Sequence, residues 1–74
     1  MLDKIKEIVA GFMGICVADI SKEKNFLDMG MDSLTLLKIV MDTENLFGVR
    51  FENEEIVEIR TIMDIFGLLE KKLS

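Results

Sequence analysis

This 74-residue chain has no histidine and no proline, and Cys16 is its one cysteine. A single thiol cannot form an internal disulfide. The same two counts exclude zinc sites built from His and Cys. They also exclude the common Ser–His and Cys–His hydrolase arrangements, because no imidazole is present to take a proton from a nucleophile. No apolar run approaches the ~18 residues of a membrane span, and Met1-Leu2-Asp3-Lys4 lacks the plan of a signal peptide. There is no repeat, no low-complexity segment and no strand signal of any length. The absences point to one domain over residues 1–74, expected to be cytoplasmic. Cys16, between Ile15 and Val17, is expected to be a small buried apolar side chain.

What the chain does have is apolar content and acid. Half of the residues are hydrophobic and the net charge is −5. Residues 32–58 carry −5, while the first 31 sum to −1 and the last 16 to +1. The acid is therefore concentrated after position 31. Such a face repels nucleic acid and anionic membrane and favours basic protein surfaces. A solvated face that keeps a small protein soluble is the simpler alternative. Glu52, Glu54, Glu55 and Glu58 are expected to stand unpaired there, without a preformed metal site. A calcium loop fails on spacing, since Asp28-Met29-Gly30-Met31-Asp32 lacks the alternating ligands and following glycine of an EF-hand.

Periodicity predicts helices. Leu2, Ile5, Ile8, Val9, Phe12 and Met13 follow helical spacing over 2–13, and Gly14 is a plausible stop. Gly11 inside that pattern suggests a close approach or fraying. Residues 15–32 have no clear period and form a long connection, and connections of that length tend to be functional. Asn53 can cap a short turn over 54–59. Thr61 followed by Asp64 resembles a capping box that opens a last helix to about Leu73, with Ile62, Ile65, Phe66, Leu69 and Leu73 on its apolar side. The expected architecture is all-α: a small four-helix bundle with one short helix and a long loop between the first two helices.

The helix over 33–47 has two apolar surfaces. Leu36, Ile39, Val40, Leu46 and Phe47 fall on a broad arc that should face the core, with Thr43 in its middle. A buried threonine there can bond back to the preceding turn or leave room for cargo. Leu34, Leu37 and Met41 form a second, narrow stripe, flanked by Ser33 and Glu44 on one side and Lys38 and Asn45 on the other. A greasy stripe bordered by polar groups suits partner docking, although deep burial would also explain it.

The stretch Phe26-Leu27-Asp28-Met29-Gly30-Met31-Asp32-Ser33-Leu34 sets one hydroxyl at the mouth of this helix. Asp and Ser at a helix start are explained by capping alone. The wider pattern is more specific: Phe26, Asp28, Gly30, Asp32, Ser33 and Leu34, then Glu44 and Phe47, then Glu54 and Glu55, and finally Ile59-Arg60-Thr61. It resembles that of the acyl carrier proteins over nearly the whole chain, with no insertion required. The resemblance implies a carrier and not an enzyme, with no catalytic residue. It also implies covalent 4′-phosphopantetheine on Ser33, flanked by Asp32 and Leu34, with cargo held as a thioester. A phosphopantetheinyl transferase would install the arm. Loading, condensing and tailoring enzymes with basic docking surfaces would meet Leu37, Met41 and Glu44. A free-standing monomer with neither a nucleic-acid partner nor a metal is expected.

Three departures bear on the pathway. Lys38 stands where fatty-acid carriers usually have glutamate, Thr43 where carriers usually have an aliphatic, and Glu52 where the acidic turn usually has proline. They suggest a specialised pathway, such as polyketide or nonribosomal peptide assembly. Asp32 before the serine is more typical of acyl carriers, so a polyketide, specialised lipid or fatty acid pathway is expected. An aminoacyl or peptidyl carrier of nonribosomal peptide assembly is the alternative. A helical adaptor without a prosthetic group, binding through Leu34, Leu37 and Met41, is the rival from another class.

Overall fold

Leu2, Ile5, Ile8, Val9 and Met13 form the inward side of the first helix, α1 (Leu2–Met13), in which Ile5 and Val9 are fully buried. Burying a side chain of that size contributes roughly 1.5–3 kcal/mol. The helix stops at Gly14, whose φ of 69° is left-handed and whose N–H donates to the Ala10 carbonyl at 2.9 Å. Phe12, expected in the core, is instead 42% exposed: it shares the Ile5–Val9 face but stands in the last turn of α1, where the core runs out. Gly11 marks no close approach: a Cβ there would meet no atom within 4 Å.

The computed structural model describes residues Met1–Leu73. Three further helices complete the bundle: α2 (Ser33–Phe47), the four-residue α3 (Asn53–Ile56) and α4 (Ile62–Leu73). No strand occurs among the described residues. Both α2 and α4 pack on α1, and the Cα radius of gyration is 11.1 Å. Ile5, Val9, Ile39, Val40, Ile62, Ile65 and Leu69 are inaccessible to solvent at the centre of the core.

The long connection between α1 and α2 is irregular but held. Two 3₁₀ turns, Val17–Asp19 and Phe26–Met29, break it up, and Ile20 and Phe26 drop into the core. Phe26 N–H donates to the Arg60 carbonyl at 2.8 Å and Met63 N–H to the Lys22 carbonyl at 3.2 Å, so the loop is stitched to the entry of α4. The expectation of a buried Cys16 is corrected here. Cys16 is exposed, and its neighbours Ile15 and Val17 are 41% and 42% exposed. The first 3₁₀ turn buries none of its own residues and leaves Ile20 to plug the core.

On α2, Ile39, Val40 and Thr43 are buried and Leu36 and Phe47 are half-buried, as the arc predicts. Leu46 departs from it at 54% exposure, being at the edge of the arc in the last turn. Thr43 Oγ1 donates to the Ile39 carbonyl at 2.8 Å, which satisfies the buried hydroxyl inside the helix.

The acidic turn is tied down more than the sequence suggests. Glu44 Oε2 accepts from Phe51 N–H at 2.7 Å, and Phe51 is buried. Asn53 is the first residue of α3 and not its cap. Glu52 holds the cap position, and Glu55 reaches back to accept from Glu52 N–H at 2.8 Å. The helix ends at Ile56, short of the expected 59, since Ile59 turns into the core. Glu55 also meets Lys72 Nζ at 2.8 Å, and Lys72 lies 5.7 Å from the centre of the Phe51 ring. Glu55 is therefore paired, contrary to the expectation of four unpaired glutamates. The Lys72 hydrogen bond, first, and the one from Glu52 hold its carboxyl below the ordinary range.

The capping box of α4 forms as predicted: Asp64 N–H donates to Thr61 Oγ1 at 3.2 Å, and Thr61 N–H to Asp64 Oδ2 at 3.0 Å. Ile62, Ile65 and Leu69 are buried, whereas Leu73, in the final turn, is 51% exposed rather than core.

Candidate functional site

The site begins with a turn that must end where a helix starts. Asn25 caps the second 3₁₀ turn, its Oδ1 accepting from Leu27 N–H at 2.9 Å. Gly30 then takes φ 78°, a conformation L side chains rarely adopt. Its N–H donates to the Leu27 carbonyl at 3.1 Å, and Met31 N–H donates to the Phe26 carbonyl at the same distance. Phe26 and Met31 are both buried, 3% and 5% exposed, so the turn is anchored at both ends. Asp32 follows in extended conformation and caps α2, with Oδ1 accepting from Thr35 N–H at 2.7 Å. That hydrogen bond, with help from the Thr35 hydroxyl and the Lys38 charge, holds the Asp32 carboxyl below the ordinary range.

Ser33 is thus the first helical residue, exposed and directly after the cap. Capping falls to Asp32, so the serine is not needed for it. The Ser33 hydroxyl has no hydrogen-bond partner among the described residues. Two open cavities meet at this residue. One, of about 420 Å³, is lined by Phe26, Met31 and Leu36, with Asn25, Asp32 and Arg60 as polar members beside Ser33. The other, of about 570 Å³, lies toward Leu34, Leu37, Ile56 and Val57. Free N–H groups at a helix start and their dipole favour an anion by roughly 0.3–1 kcal/mol. The arrangement is an accessible hydroxyl beside an anion-tolerant helix end, with apolar clefts on both sides and no base to activate it.

The profile of the family described as "Phosphopantetheine attachment site" matches residues 3–69. The acyl carrier protein of Thermotoga maritima is 35% identical over 75 residues, covering 100% of this chain and 93% of that protein. The chain belongs to the acyl carrier protein family. The acyl carrier protein of an Exiguobacterium strain is 36% identical over 74 residues, covering 99% of this chain and 94% of its own. The crystal structure of the T. maritima acyl carrier protein superposes with a TM-score of 0.81 at 36% identity, over 95% of this chain and 82% of that one.

The prosthetic group of this carrier is 4′-phosphopantetheine, covalently attached. The residues present fit it: a free hydroxyl for the ester bond, a helix N-terminus for the phosphate, and clefts for an extended arm. Leu34, Leu37 and Met41 are 60%, 44% and 53% exposed, so the second stripe of α2 is surface and not core. Glu44 is half-buried, with one carboxylate oxygen committed to Phe51. Three residues beside Ser33 had no place in the sequence reading of the site. Leu27 and Val57 are 78% and 76% exposed, and Arg60 lines the smaller cavity. Leu27 and Arg60 occupy variable places inside recognised motifs, and Val57 follows a helix too short to show a period. No helix of the described residues is long and apolar enough to cross a membrane.

Proposed function

We propose that Ser33 is the residue that bears the arm, and that this single-domain carrier shuttles acyl intermediates between biosynthetic enzymes in the cytoplasm as a monomer. The observation that carries it is the exposed, unpartnered Ser33 hydroxyl at the first position of α2, between two cavities. The phosphopantetheinyl transferase supplies the base in this reading, since the chain has no histidine and the adjacent Asp32 carboxylate is held by Thr35, which lowers its basicity. The Ser33 oxygen gains the bond to phosphorus as the phosphoanhydride of coenzyme A breaks; adenosine 3′,5′-bisphosphate leaves with the bridging oxygen, and the serine proton passes to the transferase. Once attached, the arm supplies a terminal thiol that holds cargo as a thioester. The chain's own part is to present Ser33, with Asp32 fixing the helix start and Leu34 opening the apolar stripe.

Leu37 and Met41 continue that stripe along α2 and form the docking surface, with Glu44 contributing through its remaining oxygen. The enzymes it meets carry an apolar patch with basic groups at its rim. Asp32 before the serine favours acyl over aminoacyl cargo, as do the names of the relatives. Lys38 on the docking face favours a polyketide or specialised lipid pathway over generic fatty acid synthesis. Incubation with coenzyme A and a broad-specificity transferase, followed by intact mass, tests the attachment. The wild type gains one arm and Ser33→Ala gains none while staying folded. Loading of the alanine variant, or of Ser21, would overturn the assignment.

A further inference from the structure

The phosphodiester placed on Ser33 enters a poor electrostatic setting. The chain carries −5, and the neighbouring residue, Asp32, is a carboxylate whose hydrogen bonds keep it ionised. A new negative charge within a few ångströms of Asp32 needs a cation or it repels. Arg60 is the cation that lines the same cavity as Ser33. Its backbone is fixed from both sides: its N–H donates to Asp64 Oδ2 at 2.9 Å and its carbonyl accepts from Phe26 N–H at 2.8 Å. Those bonds lock the root of the side chain between the loop that leads to Ser33 and the start of α4. The guanidinium itself has no ion pair or hydrogen bond among the described residues. A fixed root with a free, permanently charged fork suits a phosphate, which Arg grips with two parallel N–H donors. Asn25 adds a donor on the same wall, since its Oδ1 is taken by Leu27 while its Nδ2 has no partner.

We propose that the Arg60 guanidinium pairs with the phosphodiester of the arm, making Arg60 a positioning residue that draws the arm toward the Asn25–Arg60 cavity. The inference rests on Ser33 being the attachment residue. Pairing on that side biases the arm away from the larger cleft bounded by Leu34, Leu37 and Ile56, and leaves the docking stripe clear.

The test compares wild type, Arg60→Gln and Arg60→Lys before and after loading with coenzyme A and transferase, with loading verified by mass. In ¹⁵N spectra of the wild type, the Arg60 Nε–H resonance should move on loading. The ³¹P resonance of the loaded protein should differ between wild type and Arg60→Gln, with Arg60→Lys between them. Loading should raise Tm by about 2–4 °C more in the wild type than in Arg60→Gln, and moderate salt should remove most of that difference. An Arg60 resonance and a ³¹P resonance that ignore loading and substitution respectively, in proteins shown by mass to be loaded, would overturn this pairing alone. A wild type that takes no arm would bring down the Ser33 assignment and the pairing with it.

Discussion

Gly11 and Gly30 should respond to the same substitution with opposite signs. A Cβ at either position meets no atom within 4 Å, so steric clash is removed from the comparison. Only backbone conformation differs. Gly30 has φ 78°, where an L side chain costs roughly 1–2 kcal/mol. Gly11 is inside α1, where replacing glycine by alanine gains roughly 0.8–1 kcal/mol. For a domain of this size, 1 kcal/mol moves Tm by about 4–8 °C. Gly30→Ala should therefore lower Tm by about 4–16 °C, and Gly11→Ala should raise it by about 3–8 °C. Helical circular dichroism against temperature, with urea titration as a second measure, reads both. Gly30→Asn should fall between glycine and alanine, because asparagine tolerates the left-handed region better. A neutral Gly30→Ala would refute the positive-φ turn on which the placement of Ser33 depends. Below its lowered Tm, Gly30→Ala should still accept the arm. A folded variant that refuses it would mean that the transferase reads Gly30 directly.

Three other substitutions separate structure from docking. Met41→Lys should leave Tm nearly unchanged, within about 0.5 kcal/mol, because the side chain is 53% exposed. It should weaken transfer to partner enzymes, and substantial unfolding would show the stripe to be core. Glu44→Ala should cost about 1–3 kcal/mol by stranding the Phe51 N–H, whereas Glu44→Gln keeps an acceptor and should cost much less in a urea titration. Equal losses would show that this hydrogen bond does not hold the turn. For Glu55, whose folded pKa is depressed, the Lys72 pairing stabilises above the ordinary carboxylate range near pH 4 and is lost as pH falls through the folded value. The Tm gap between wild type and Glu55→Gln should be steady from pH 7 to 5 and close toward pH 3. A gap that persists in acid would rule out the ionised pair as its source.

The parts of the fold that were legible in the sequence are those set by local chemistry. The ends of α1 and α2, the Thr61–Asp64 box and the back-bond of Thr43 each follow from residues within four positions of one another. The misjudged residues depend on distant partners or on where the core runs out. Phe12, Leu46 and Leu73 have helical spacing but lie at helix ends or arc edges, beyond what a bundle of 74 residues covers. Cys16 is in an apolar triplet that the following 3₁₀ turn carries outward. Glu55 finds Lys72 across the chain. The Gly30 turn, the Asp32 cap and the start of α2 at Ser33 were legible because capping and turn chemistry are local. Val57 and Arg60 were not, because the fold brings them to Ser33 from more than twenty positions away.

The same distinction bears on how the carrier meets its partners. Four of the acidic groups are committed internally: Asp32 to Thr35, Glu44 to Phe51, Glu55 to Lys72 and Asp64 to the entry of α4. They serve the fold before any partner arrives, and their removal would be felt as lost stability. On the exposed face of α2 the remaining charges are Asp42 and Lys38, which nearly cancel. What α2 offers a partner is therefore chiefly the apolar row Leu34, Leu37 and Met41, extended around Ser33 by Leu27 and Val57. Burying such surface contributes about 25 cal/mol per Å² and is insensitive to screening, while exposed charges lose reach beyond about 8–10 Å at physiological salt. On the proposed docking surface, long-range attraction would then come from the acid around α3, at Glu52, Glu54 and Glu58, and short-range fit from the stripe. In that proposal encounter and fit are carried by different elements, so charge substitutions near α3 should act mainly on association rate and apolar substitutions on α2 mainly on the lifetime of the complex, as association and dissociation kinetics with a partner enzyme would read.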